Sequence, residues 1–87
     1  MTDLKIIYTS VIQKFNCNTN KYITINIEEK TINTEQYNNM TSKETIKFFR
    51  YSGGTERVTR KGGRVVKIVS TSPCGELRTI RTFKFPE

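Results

Sequence analysis

The chain has 87 residues, 34% of them hydrophobic and 26% charged, and a formal net charge of +7. That length amounts to one domain, residues 1–87, and so low an apolar share limits it to a small core or one that a partner completes. No run approaches the roughly 18 apolar residues of a membrane span, no apolar leader opens the chain, and the absence of histidine removes the commonest general base and metal ligand.

In chain order, Leu4 to Ile12 is rich in β-branched and aromatic residues and predicts a first strand. A polar turn follows at Asn16 to Lys21. From Tyr22 to Glu28 the residues alternate, with Ile23, Ile25 and Ile27 on one side and Thr24, Asn26 and Glu28 on the other, as in a half-buried strand. Residues 29–43 are polar and aperiodic and read as a long loop of the kind that often binds. Glu44 to Tyr51 reads as the third strand. Ser52 then caps a helix running to about Lys61, on which Arg57, Arg60 and Lys61 share one face. Gly62-Gly63 stops that helix, because glycine adopts a left-handed conformation without a Cβ penalty. Arg64 to Ser70 reads as the fourth strand. Pro73 and Gly75 mark a turn, and Leu77 to Phe85 is the last strand, with Leu77, Phe83 and Phe85 on one face and Arg78 and Lys84 on the other. The expected class is α+β: a small antiparallel-rich sheet of three to five strands with one short helix packed on it.

Charge divides the chain. Residues 1–46 carry five lysines and five acids, whereas residues 47–84 carry ten basic residues against Glu56 and Glu76, a net of +8. An acidic partner is implied for that half. Catalysis is not: the acids stand singly or, as Glu28-Glu29, split across two strand faces. Cys17 and Cys74 lack metal-site spacing and read as free thiols, and Ser52-Gly53-Gly54-Thr55 lacks the lysine of a phosphate loop. The candidate functional residues are therefore contact residues. Arg57, Arg60 and Lys61 lie on the helix, and Arg50, Arg64, Arg78, Arg81 and Lys84 extend the patch, since arginine can grip carboxylates and phosphates bidentately. Phe48, Phe49 and Tyr51 cluster at a strand–helix junction, where alternation turns at least one outward.

Glu56-Arg57-Val58-Thr59-Arg60-Lys61-Gly62-Gly63-Arg64-Val65-Val66-Lys67-Ile68 resembles the C-terminal half of the CpcD-like family of small phycobilisome linker domains, which read approximately QRI-x-R-x-GGKIVKI. The likeness is best over residues 45–70, with Thr45 to Tyr51 in the place of a family strand. It is loose over Leu4 to Ser10 and leaves out Tyr22 to Asn39 and Leu77 to Glu87. What the resemblance implies is a non-catalytic linker of the core-capping or rod-capping type. Such a linker binds in the central cavity of acidic phycobiliprotein trimers or hexamers, allophycocyanin or phycocyanin, alongside other linkers. It would carry no covalent pigment but lie near the phycocyanobilin or phycoerythrobilin of partner subunits, tuning energy transfer in light harvesting. It would be peripheral to the thylakoid, on its stromal or cytoplasmic face in a red algal plastid or a cyanobacterium, without inserting in the membrane. The lack of alanine and the abundance of Ile, Asn, Lys and Thr fit an AT-rich genome. The alternative on chemistry alone is a small basic protein that binds single-stranded nucleic acid; the linker reading expects none.

Overall fold

The computed structural model describes residues 5–86. Five strands form one antiparallel sheet, and two helices of seven residues each sit between the second and third. The elements are β1 (Ile6–Asn16), β2 (Lys21–Ile32), α1 (Thr34–Met40), α2 (Lys43–Phe49), β3 (Thr55–Lys61), β4 (Arg64–Thr71) and β5 (Leu77–Lys84). Their order across the sheet is β2-β1-β5-β4-β3, so β2 and β3 are the edges and the helical segment carries the chain from one edge to the other. The molecule measures 51 × 22 × 19 Å.

The α+β class and the antiparallel sheet agree with the sequence; several elements do not. Glu44 to Tyr51 is not a strand. Ser42 accepts a hydrogen bond from the Thr45 amide and starts α2, which ends at Phe49. Residues 29–43 are not a loop. β2 continues to Ile32, and Asn33 with Gln36 forms a reciprocal capping box that opens α1, with bonds of 2.8 and 3.0 Å. There are thus two helices rather than one.

The largest correction falls on the segment from Ser52 to Lys61, which the Ser52 cap, the spacing of Arg57, Arg60 and Lys61 and the glycine stop predict as a helix. It forms β3, paired with β4 from Thr55↔Thr71 to Lys61↔Arg64. Gly62 and Gly63, at φ 60° and 78°, are the two left-handed residues of a tight hairpin turn, not a helix stop. A helix here would have carried two early glycines and the β-branched Thr55, Val58 and Thr59, all poor helix formers. A strand uses them better.

A second departure concerns β4, which bulges at Val66: Lys67 pairs with Thr59, yet Val65 pairs with Arg60. The extra residue re-phases the strand. It lets Val65 and Ile68, three positions apart, both enter the core while Lys67 points away.

The core lies on one side of the sheet. Ile6, Tyr8, Ile32, Val65, Ile68 and Phe83 form one buried cluster with Tyr37 of α1 and Ile46 of α2. The Tyr37 ring meets Phe83 edge-on at 5.2 Å, and its hydroxyl donates to the Val65 carbonyl at 2.8 Å. Tyr51, following α2, hydrogen-bonds Thr79 at 2.7 Å. Every buried strand residue faces this helix side. On the other face no described residue is buried.

A candidate docking face

Pairing fixes which residues share the open face, because directly opposed residues in a sheet point the same way. Three rows cross it. The central row is Arg57, Val69, Ile80, Val11 and Ile27, in the order β3, β4, β5, β1, β2. One flank is Thr59, Lys67, Thr82, Thr9 and Glu29; the other is Thr55, Thr71, Arg78, Gln13 and Thr24. An aliphatic strip is thus framed on both sides by hydroxyls and cations.

Among the described residues, Arg57, Lys61, Arg64, Lys67, Arg78 and Lys84 have no carboxylate within the 4.0 Å of an ion pair. Glu29, at the β2 edge, is the one acid on the face among them. Two grooves indent it. One, of about 610 Å³, is lined by Tyr22, Arg57, Lys67 and Arg78 with Glu56, Val69 and neighbouring threonines. The other, of about 780 Å³, lies at the opposite end, where Lys5, Lys61, Arg64 and Lys84 surround Ile7 and Phe85.

Arg78 is the most firmly positioned of these groups. Its guanidinium lies 3.8 Å from the centre of the Tyr22 ring, and its Nε donates to Gln13 Oε1 at 2.9 Å. Tyr22 is held in turn by Phe15, 5.4 Å away, and by the Gly75 carbonyl at 2.7 Å. At the other end Arg64 covers Phe85 at 4.6 Å and stands directly opposite Lys61. Like charges face to face across a hairpin weaken it slightly, so their juxtaposition is poorly explained by folding alone.

The predicted contact residues divide between the two sides. Arg57, Lys61 and Arg78 lie on the open face, as does Lys84, whereas Arg64, opposite Lys61 in register, reaches round the sheet end to cover Phe85, which packs on Tyr37 of the helix side. Arg60 points to the helix side, because strand alternation replaces the expected helical spacing. Arg81 also faces the helices, stacked 3.8 Å over the Phe49 ring. Tyr51 and Phe49 are half-buried there, Arg50 is exposed just after α2, and Phe48 is 84% exposed on that helix. The expected single basic and aromatic patch is therefore not formed: no aromatic of residues 48–51 meets the open-face cations. Tyr22 and Lys67 belong to the site and were not singled out from the sequence, although alternation against the apolar Ile68 places Lys67 opposite the core.

Tyr37 of α1 is buried in the core. Burial raises its pKa above the ordinary phenol value, while the cations of Arg64 and Arg60 pull it part of the way back. Among the described residues no group of three or more Cys, Asp or Glu side chains is placed to hold a metal ion, and no helix is long and apolar enough to cross a membrane. No family model matches the chain, and neither a curated protein nor a solved structure does.

Proposed function

We propose that the chain is a non-catalytic docking module that holds an acidic protein surface against its open sheet face. The observation that carries this is the aliphatic row Val69-Ile80-Val11-Ile27 set between two rows of threonines and unpaired cations. An apolar centre with a polar, charged rim is the anatomy of a protein interface, and unpaired cations around it favour an acidic partner and speed its encounter. The linker resemblance supplies a candidate partner, the acidic phycobiliprotein disc. The residues carrying that resemblance, Glu56 to Ile68, lie in the β3–β4 hairpin and contribute Arg57, Lys61 and Lys67 to the face. The helix expected over Ser52 to Lys61 is absent from that hairpin, so what supports the reading is the open face.

Single-stranded nucleic acid fits the same charge less well. Such proteins stack bases on exposed aromatics, whereas the centre of this face is aliphatic and Tyr22 already carries Arg78 on its ring. The test is to titrate the protein separately with allophycocyanin or phycocyanin trimers and with single-stranded oligonucleotides, following co-sedimentation and bilin absorption. Binding to the discs should weaken at least about tenfold in an Arg57→Glu, Lys67→Glu double variant. It should also weaken in Val69→Thr, which keeps the shape but adds a hydroxyl to the apolar row. Oligonucleotide binding insensitive to Val69→Thr, with no binding to the discs, would replace this reading with the nucleic-acid one.

A further inference from the structure

The two edges of the sheet differ in how they are protected. Edge strands expose unpaired backbone groups, and charged side chains are the usual guard against pairing with another chain. β3 is guarded: within Thr55–Lys61 stand Glu56, Arg57, Arg60 and Lys61. β2 is not. It runs for 12 residues, and its stretch Tyr22-Ile23-Thr24-Ile25-Asn26-Ile27 carries no charge. Ile23, Ile25 and Ile27 are 47%, 56% and 64% exposed. The sequence pattern had placed these three on one buried face. Instead Ile25 is skipped in the pairing with β1, which sets Ile23 and Ile27 on opposite sides of the sheet.

We infer that β2 pairs antiparallel with β2 of a second copy of this chain, joining two sheets into one of ten strands. The strand is complementary to itself. When Thr24 and Ile25 are counted as one rung because of the bulge, a two-fold axis through that rung brings Ile23 opposite Asn26, Tyr22 opposite Ile27 and Lys21 opposite Glu28 of the second copy. Each of these pairs lies on a single side of the sheet, as the β1 partners of those residues require. The charges match at both ends. On the open face the Tyr22–Ile27 pair extends the aliphatic row into the second molecule. An axis perpendicular to the sheet keeps both open faces on the same side, so the dimer presents a cationic surface twice as long. The inference rests on the edge alone and holds whatever that face binds.

Sedimentation equilibrium of the full chain over a concentration series tests it. The wild type should dimerise. Ile25→Lys, a change at an exposed position, should be monomeric with an unchanged circular dichroism spectrum. Lys21→Glu should raise the dissociation constant about tenfold or more, and adding Glu28→Lys to it should restore the value to within about threefold. A wild-type chain that stays monomeric at ~100 µM overturns the inference, since that concentration exceeds what a stable edge pairing needs. A dimer indifferent to Ile25→Lys and to the charge swap overturns it equally.

Discussion

Tyr37 links both helices' side of the sheet to the open hairpin, and its hydroxyl is the clearest single-residue test of the fold. The bond to the Val65 carbonyl exists only while the phenol keeps its proton. Removing it leaves a buried carbonyl unpaired, so Tyr37→Phe should cost about 1–2 kcal/mol at neutral pH. The pH dependence has a defined sign. The folded pKa is raised above the ordinary value of 10.0. The contribution is therefore fully present below about pH 10 and is lost as pH rises through the folded value. Urea unfolding from pH 7 to 11 should show the gap between wild type and Tyr37→Phe closing at the alkaline end. A gap that stays constant across that range would mean the hydroxyl carries none of the alkaline sensitivity.

At the level of elements, glycines separate the hairpin from the loop that precedes it. Gly62 and Gly63 turn the β3–β4 hairpin with positive φ, and a Cβ on either meets nothing within 4 Å. Conformation alone restricts them, so Gly62→Asn, a residue that tolerates the left-handed region, should leave stability within about 0.5 kcal/mol. Gly63→Val should cost about 2 kcal/mol, because a β-branched residue is strained there. Gly54 is the opposite case. A Cβ on it would lie 2.2 Å from the Thr71 carbonyl oxygen, and Gly54→Ala should cost about 3 kcal/mol or more by forcing the loop off the end of β4. Thermal melts of the three variants rank these effects directly; an unperturbed Gly54→Ala protein would contradict the close approach.

The same elements show what could be read from the chain. β1, β4 and β5 were legible because β-branched residues recur there, and Arg78 and Lys84 were correctly set opposite Leu77 and Phe83. The helices were not, since seven residues span too few turns to show a helical period. Their start signals were nevertheless present, in Asn33 with Gln36 and in Ser42. Glycine pairs end helices and also turn hairpins, so Gly62-Gly63 alone left the preceding segment ambiguous; the basic spacing of Arg57, Arg60 and Lys61 then favoured the wrong choice. The two bulges, at Ile25 and Val66, depend on cross-strand pairing that no local pattern encodes.

For the whole molecule, the open face sets stability against binding. Its cations lie along adjacent strands with Glu29 as the one acid on that face among the described residues, and Lys61 stands opposite Arg64. Each raises the electrostatic free energy of the folded state while strengthening attraction to an acidic partner. Folding should therefore be most strained at low ionic strength, where screening is weakest. Raising salt from about 10 mM to about 500 mM should increase the melting temperature, by roughly 4–8 °C for each kcal/mol of repulsion relieved in a chain of this size. Lys61→Gln with Lys67→Gln should raise the low-salt melting temperature and flatten this dependence, and should weaken partner binding in the same variant. The coupling of the two effects is the decisive readout, because cations kept only for solubility would lose stability or nothing when neutralised. A double variant that melts lower than wild type at low salt, or that binds its acidic partner undiminished, would show that the open face was not shaped by that compromise.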